Sequence, residues 1–332
     1  MKNILITGGF GAIGSALAKK LSENKKNNIF IIDNFSSGYE NNLLKKENIV
    51  KISGNLIEDN VIKDAFSNDI NYIYHLAANF ANQNSVDDPE KDLITNGLGT
   101  VKILEAATKY KISKILYSSS SCIYKPINEP FIENGPLTLT TPYAITKLLG
   151  EHYVYFYNAF KKIPSVIVRY FNSYGPGDYP GNFRSVVCNF FSKAINNEPL
   201  TITGDGLETR PFTYIDDIVN GTIMAMEKSN GEITKNYFNH PLDEKNIIYN
   251  ISNPNTIKIK DLAEKINNLC QNKSGIKYES RRDWDVIRNR NVSVEKAKNE
   301  LGFEASINID EGLKRTLDWF KSSDYKKNNI NK

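Results

Sequence analysis

"ILITGGFGAIGSALAKKL", residues 4–21, decides the fold, because it places three glycines between a short apolar run and a stretch of helical periodicity. In a strand–turn–helix unit the first glycine, Gly8, permits a tight turn, and Gly11 lets the backbone approach a pyrophosphate closely. Gly14 lets the helix pack against the strand, and the free N–H groups at the helix start attract an anion. The stretch therefore predicts a dinucleotide-binding loop.

An acidic residue at the end of the next apolar run supports this interpretation. Asp33 follows Gly14 by 19 residues, where a carboxylate accepts hydrogen bonds from the hydroxyls of an adenosine ribose. No arginine follows Asp33 directly, and its carboxylate would repel a 2′-phosphate. We therefore predict that the cofactor is NAD rather than NADP.

The first half of the chain alternates short apolar runs with longer stretches of helical period. The runs lie at residues 4–6, 29–32, 49–52, 72–76, 115–117 and 166–168. Strands that are apolar throughout and alternate with helices form a parallel sheet covered on both faces. The predicted fold is α/β, with a Rossmann-type doubly wound parallel sheet over 1–171 and a smaller mixed α/β C-terminal substrate region over 172–320. We expect residues 211–230 to pack back on the sheet and 321–332 to form a flexible tail.

Composition and charge exclude several classes of protein. The 332 residues carry a net charge of +4 that is spread along the chain, which argues against a nucleic-acid partner. No apolar stretch approaches the ~18 residues of a membrane helix, so we expect no membrane segment. The cysteines, Cys122, Cys188 and Cys270, are widely spaced and odd in number, which predicts neither disulfides nor a metal site. We expect a cytoplasmic protein that acts on small molecules.

A tyrosine four residues before a lysine occurs three times, and the context selects one pair. The path from Tyr110 to Lys114 crosses a predicted helix-to-strand loop, and Tyr157 lies about 21 Å along the helix from Tyr143, at ~1.5 Å per residue. "TPYAITK", residues 141–147, carries a helix-start signal directly before Tyr143. The pair Tyr143 and Lys147 is therefore predicted to lie at the carboxyl end of the sheet.

This pair predicts a specific proton-transfer chemistry. A phenol with a pKa near 10 must lose roughly 3 units to act as a base at neutral pH. The ammonium of Lys147 and the positive nicotinamide of NAD⁺ both favour the phenolate. "YSSSSCIYK", residues 117–125, ends an apolar run with four serines, one of which can hold the substrate oxygen as its proton leaves.

Taken together, these motifs resemble the extended short-chain dehydrogenase/reductase family. The likeness covers nearly the whole chain and is closest to the NAD-dependent nucleotide-sugar epimerases and dehydratases, above all the UDP-glucose 4-epimerases. The stretches that carry it are "TGGFGAIG", "DNFSSG", "HLAA" at 75–78, "NGLGT" at 96–100, "SSSSCIY", "YAITK", "RYFNSYGPG" at 169–177, "TRPFTYIDD" at 209–217 and "NELGF" at 299–303.

The resemblance implies a role for each matching residue. Tyr143 would be the catalytic base, Lys147 would lower its pKa and hold the nicotinamide ribose, and Ser120 would be the hydroxyl partner. The implied substrate-binding residues are Ser120, Ser121, Cys122, Tyr143, Asn172, Arg210 and Arg282, of which the two arginines would grip a diphosphate. The implied NAD-binding residues are Gly8, Phe10, Gly11, Ala12, Ile13, Gly14, Asp33, Asn34, Ser37, Gly38, Asn55, Leu56, Leu76, Ala77, Ala78, Asn96, Ser118, Tyr143, Lys147 and Tyr170.

The reaction implied by the resemblance is epimerisation of a nucleotide-diphosphate sugar, with a UDP-sugar favoured. The phenolate would take the proton of the 4-hydroxyl, NAD⁺ would take the C4 hydride, and the 4-keto sugar would receive it back on the other face. Family members that dehydrate sugars carry an Asp-Glu pair where this chain has Ser121 and Cys122, which argues against a 4,6-dehydratase.

Three alternatives remain open beside the dehydratase. "SSCIY" also resembles GDP-mannose 3,5-epimerases, where that cysteine works with a lysine. Here Arg184 and Ser185 stand where the lysine is expected, so Cys122 is an additional catalytic candidate without its partner. A net 4-dehydrogenase would need exchangeable NAD(H), whereas a non-catalytic relative would typically lack the Tyr/Lys pair. The resemblance also implies a homodimer through a four-helix bundle built from the helices near residues 90–109 and after Pro142.

Overall fold

The computed structural model describes residues 1–43, 46–181, 185–232, 247–283, 285, 287–322 and 325. Arg184 and most of the predicted tail, 321–332, therefore lie outside the described residues. Within the described residues, the strands are β1 Lys2–Thr7, β2 Asn27–Asp33, β3 Ile49–Ser53, β4 Tyr72–His75, β5 Lys114–Ser120, β6 Ser165–Tyr170, β7 Ser173–Tyr174, β8 Leu200–Thr203, β9 Thr209–Pro211, β10 Thr213–Tyr214, β11 Ile248–Ile251, β12 Thr256–Lys258 and β13 Ile276–Glu279.

The helices of the same residues are α1 Ala12–Leu21, α2 Asp59–Phe66, α3 Asn82–Asp87, α4 Pro89–Asp92, α5 Gly99–Lys109, α6 Pro142–Lys161, α7 Val186–Ile195, α8 Ile215–Lys228, α9 Ile259–Cys270 and α10 Ile309–Lys321. A π-helical turn, Leu93–Leu98, joins α4 to α5. None of the helices in this part of the chain combines the length and apolarity that a membrane span requires.

A parallel sheet organises the first region. Its strand order is β11-β6-β5-β4-β1-β2-β3, seven strands among the described residues, and every neighbouring pair runs parallel. One apolar core packs α2, α5 and α6 against one face of the sheet, and a second packs α1 and α8 against the other. The predicted doubly wound α/β fold is therefore confirmed.

The later part of the chain contributes to both regions. β11, residues 248–251, lies within the segment assigned to the second region but pairs with β6 as the edge strand of the main sheet. A third apolar core joins α7, β8, α9 and α10 into the smaller mixed α/β region. The carboxyl ends of the central strands face this region, and ligands of doubly wound sheets bind in that crevice.

Candidate active site

A cavity of about 1520 Å³ lies at the carboxyl ends of the strands. Its walls come from the loops after β1, β2, β4, β5 and β6 on one side and from the second region on the other. Pockets for drug-sized ligands measure roughly 300–1,000 Å³. The cavity therefore has room for a dinucleotide and a second ligand together.

The glycine loop forms one end of this cavity, and its geometry accounts for each glycine. Gly8 has φ +69°, and a Cβ there would lie 2.8 Å from the Cα of Ala77. A Cβ at Gly14 would lie 2.2 Å from the carbonyl oxygen of Gly8, so α1 packs this closely only without a side chain. Gly11 lines the cavity as the residue before α1, which leaves backbone N–H groups free for a pyrophosphate.

Asp33 is fixed at the wall of the cavity by two backbone donors. The N–H groups of Phe10 and Phe35 each donate to one carboxylate oxygen at 2.8 Å. Burial raises the pKa of Asp33, and these two hydrogen bonds oppose the rise. The remaining lone pairs of the carboxylate can accept from ribose hydroxyls, so this end of the cavity fits the adenosine of NAD.

The structure brings most of the predicted NAD residues to the cavity wall and leaves three behind it. The lining includes Gly8, Gly11, Ala12, Ile13, Gly14, Asp33, Asn34, Ser37, Asn55, Leu56, Leu76, Ala77, Ala78, Ser118, Tyr143, Lys147 and Tyr170. Phe10 and Gly38 pack against each other behind this surface, where a Cβ at Gly38 would lie 2.9 Å from the carbonyl carbon of Phe10. Asn96 is buried and accepts from the N–H of Asn79 at 2.8 Å, so it supports the loop after β4 rather than lining the cavity.

Ser120, Tyr143 and Lys147 converge at the middle of the cavity. Ser120 ends β5, and the side-chain oxygen of Thr141 caps α6 so that Tyr143 lies in its first turn and Lys147 one turn later. Both hydroxyls line the cavity, and the Ser120 hydroxyl acts to lower the pKa of the Tyr143 phenol. The Nζ atom of Lys147 lies 4.7 Å from the centre of the Tyr117 ring. The arrangement provides a phenol, a hydroxyl and an ammonium beside one another.

The sequence predicts a lowered pKa for Tyr143, but in the protein without its cofactor the pKa is raised. Burial raises the pKa of Tyr143, and the nearby Cys122 raises it further, whereas the Ser120 hydroxyl lowers it. Burial lowers the pKa of Lys147 to about 8, against the attraction of Asp92 and Glu151. Phenolate formation therefore needs a further positive charge in the cavity, such as an oxidised nicotinamide.

The other two tyrosine–lysine pairs lie away from the cavity. Tyr110 follows the last residue of α5, and Lys114 begins β5, where its Nζ donates to the carbonyls of Met226 and Ser229 at 2.7 and 2.6 Å. Tyr157 lies on α6 but donates to the carboxylate of Glu105. The contacts of Lys114 and Tyr157 therefore serve the packing of the fold, and neither pair reaches the cavity.

On the neighbouring strand β4, His75 is fully buried between two threonines. Its Nδ1 lies 2.7 Å from Thr7 Oγ1 and its Nε2 lies 3.0 Å from Thr100 Oγ1. Burial lowers the pKa of His75 from 6.5 to about 3, with a smaller contribution from Lys147. The imidazole is therefore neutral at neutral pH.

The free energy of unfolding is expected to fall as the pH decreases from about 6.5 towards 3, because unfolded His75 takes up a proton that the folded state excludes. Above pH 6.5 the neutral His75 makes its full contribution to the free energy of unfolding. Between pH 6.5 and 3 this free energy falls by up to ~1.4 kcal/mol per pH unit. Urea unfolding between pH 4 and 7 measures this slope. His75→Gln should flatten it relative to the parent, whereas His152→Gln on the exposed side of α6 should not. If the free energy of unfolding depended equally on pH in all three proteins, His75 would not be the source of the slope.

The predicted substrate residues differ in their availability. Asn172, Arg210, Arg282 and Cys122 line the cavity, whereas Ser121 is buried behind it. Arg210 donates to the backbone carbonyls of Thr209, Arg288 and Ile287 at 2.8–2.9 Å. Burial lowers the pKa of Arg210 to about 10. This arginine contributes mainly a fixed positive charge, whereas Arg282 is exposed at the rim.

Sequence reasoning missed Arg290, which also lines the cavity. The side chain is buried, and its Nη1 lies 3.2 Å from Ser121 Oγ and 3.7 Å from Cys122 Sγ. Burial raises the pKa of the Cys122 thiol. The charge of Arg290, together with hydrogen bonds from Arg290, Ser120 and Asn82, outweighs this effect, so the pKa is lowered overall. No local motif marks Arg290, because its place depends on a segment 169 residues away in sequence from Ser121.

Comparison with known proteins agrees with this geometry. Residues 4–239 match the NAD dependent epimerase/dehydratase family. A putative UDP-glucose 4-epimerase of Methanocaldococcus jannaschii is 33% identical over 323 residues, which cover 96% of this chain and 99% of that protein. A UDP-N-acetyl-α-D-glucosaminuronate decarboxylase of Bacillus cytotoxicus is also 33% identical, over 96% of this chain and 98% of the relative.

The solved structure of an epimerase from Methanothermobacter thermautotrophicus has a TM-score of 0.91 at 40% identity, covering 99% of this chain and 95% of the other. The chain belongs to the NAD dependent epimerase/dehydratase family, within the extended short-chain dehydrogenase/reductases. The prediction of NAD as the cofactor is confirmed.

Proposed function

We propose that the protein epimerises a nucleoside-diphosphate sugar at C4, with a UDP-sugar as substrate. The observation that carries the proposal is the grouping of Ser120, Tyr143 and Lys147 at the middle of a cavity that begins at the glycine loop. Names of relatives support a UDP-sugar, since both curated relatives described above are named for one.

Each side chain has a defined task in this proposal. Tyr143 accepts the proton of the sugar 4-hydroxyl, Ser120 holds the same oxygen, and Lys147 supplies positive charge and binds the nicotinamide ribose. NAD, when bound, accepts the C4 hydride and returns it. Arg282 and the charge of Arg210 stabilise the diphosphate, which allows the sugar ring to turn while the nucleotide remains anchored.

Neither residue directly after Ser120 is the Asp or Glu that a 4,6-dehydratase uses there as acid and base. The corresponding residues are Ser121, which accepts from Arg290, and Cys122. One observation favours a second candidate, a 3,5-epimerase. The pKa of Cys122 is lowered overall by Arg290, and a thiolate beside a 4-keto sugar can remove a proton at C3 or C5.

Incubation with UDP-sugars in D₂O separates these reactions. Inversion at C4 without deuterium in the product supports the proposed 4-epimerase, because the hydride never exchanges with solvent. Deuterium at C3 or C5 would instead favour the 3,5-epimerase, and a 6-deoxy product would favour dehydration. NMR and mass spectrometry of the isolated sugar distinguish the three outcomes.

We further propose that two copies associate through α5 and α6. Leu93 and Leu98 on one side, and Ile145, Phe156 and Phe160 along α6, are apolar side chains 38–52% exposed. A Cβ at Gly97 would lie 3.1 Å from Leu93 and 3.3 Å from Leu149, so the turn before α5 packs closely on α6, and the exposed apolar side chains of the two provide a surface for a second copy. Pairing this surface with its symmetry mate would give a four-helix bundle.

Phe156→Glu combined with Phe160→Glu is expected to convert a dimer into a monomer, because the two carboxylates would be buried against their mates. Light scattering over a range of concentrations measures the mass. Ile132→Glu, at a residue 45% exposed elsewhere, is the control and should leave the mass unchanged. A parent protein that is monomeric at every concentration would contradict the proposal.

A further inference from the structure

The guanidinium of Arg290 is a buried cation at the centre of the substrate cavity. The residue is 8% exposed and lines the cavity. Its Nη1 lies 3.2 Å from Ser121 Oγ and 3.7 Å from Cys122 Sγ, neither of which belongs to a carboxylate. Its Nε is buried and has no hydrogen-bond partner among the residues that the structure describes. The side chain therefore keeps donor capacity for a ligand.

Arg290 also differs in its charge environment from Arg169 and Arg210. Arg169 forms a bidentate ion pair with Glu151, and Arg210 lies 3.5 Å from a carboxylate oxygen of Asp285. No ion pair links Arg290 to a carboxylate in the described part of the chain. A buried charge without a partner is unfavourable, so an anion that enters the cavity would be bound strongly.

A short chain of contacts connects Arg290 to the reacting atoms. Tyr143 and Ser120 line the same cavity, Ser120 Oγ accepts from the N–H of Cys122 at 3.2 Å, and Cys122 contacts Arg290. In a hexose whose 4-hydroxyl binds Tyr143 and Ser120, C6 is two bonds from C4. The diphosphate is attached to C1 at the opposite end of the ring. The contacts through Cys122 place Arg290 beside the sugar, within reach of a substituent at C6, and its charge also acts on Arg210.

We propose that Arg290 binds a carboxylate at C6, so that the substrate is a nucleoside-diphosphate hexuronate rather than a neutral hexose. This inference rests on the proposed 4-epimerase function, since it places the 4-hydroxyl at Tyr143. A planar guanidinium with free N–H groups matches a carboxylate, whereas a CH₂OH group gives it no charge to neutralise.

Paired substrates that differ only at C6 test the proposal. The pairs are UDP-glucose with UDP-glucuronate, and UDP-N-acetylglucosamine with its uronate. The parent protein should show the higher kcat/KM for the uronate of a pair. Arg290→Met should lower kcat/KM for that uronate by about 10- to 150-fold, the effect of losing hydrogen bonds to a charged group. It should change the value for the neutral sugar by much less.

Arg288→Met is the matched control, because Arg288 is exposed and its side chain pairs with Asp205 at the surface. It should keep the preference of the parent protein. Equal losses on both sugars of a pair in Arg290→Met, or a parent that prefers the neutral sugar, would overturn the inference. The preference of the parent protein between the two sugars of a pair tests the inference even if Arg290→Met fails to fold.

The identity of the product shows whether the carboxylate-binding role of Arg290 or the proposed 4-epimerase function has failed. Inversion at C4 of the neutral sugar alone would leave the 4-epimerase intact and overturn the role of Arg290. Uronate-specific turnover that releases CO₂ and leaves a UDP-linked five-carbon sugar would support carboxylate binding but overturn 4-epimerisation. The absence of turnover, together with equal binding of UDP-glucose and UDP-glucuronate, would overturn both.

Discussion

Tyr143→Phe is expected to lower the rate of C4 inversion by about 10²- to 10⁴-fold, the range of positioned general acid–base catalysis. The substitution removes only the phenolic oxygen of a residue that lines the cavity together with Ser120. The ring remains half-buried in the first turn of α6, so the fold and the NAD site should be retained. The loss should therefore appear in turnover rather than in the bound cofactor.

Rates with the preferred UDP-sugar, together with the amount of NAD that copurifies, measure this effect. Tyr157→Phe is the matched control, because Tyr157 is on the same helix but contacts Glu105 away from the cavity. It should keep the parent rate within a few-fold. A Tyr143→Phe protein within tenfold of the parent, or equal losses in both variants, would contradict the assignment of the base.

Local sequence patterns predicted the sheet because its central strands are buried on both faces. The runs at 4–6, 29–32 and 115–117 are apolar throughout, as such strands must be. β11 was not predicted, since its partner β6 lies about 80 residues earlier and its interior contains Asn250. That side chain is fully buried but donates to the carbonyls of Phe131 and Ser293, which no local pattern indicates.

The candidate site was predictable to the extent that its residues fall within continuous motifs. Gly11, Asp33, Ser120 and Tyr143 each belong to a strand end or helix start whose spacing the backbone dictates. Arg290 belongs to a loop whose position depends on contacts with distant segments, such as the backbone pairing of Arg290 with Thr209. The direction of the Tyr143 pKa shift likewise depends on burial and on Cys122, which spacing alone does not define.

A buried ion pair joins α6, the helix that carries Tyr143 and Lys147, to β6. Arg169, on β6, donates through Nε and Nη2 to both carboxylate oxygens of Glu151 on α6, at 2.9 and 2.7 Å. Its Nη1 donates to Tyr124 Oη at 2.9 Å and to the carbonyl of Glu133 at 2.8 Å. The two charged side chains are 1% and 2% exposed, so water contributes little to their solvation.

Arg169→Met is expected to lower the free energy of unfolding by about 3–5 kcal/mol, because it leaves the Glu151 carboxylate buried without its counter-ion. Urea unfolding followed by far-UV circular dichroism measures the loss. Adding Glu151→Met should recover part of it, since methionine at both positions removes the uncompensated charge and retains apolar volume. The recovery should be incomplete because Tyr124 and the Glu133 carbonyl lose their donor. The contrary result is a double variant whose loss in free energy of unfolding equals the sum of the losses in Arg169→Met and Glu151→Met. The two side chains would then stabilise the protein independently, and the ion pair would not fix α6 against β6.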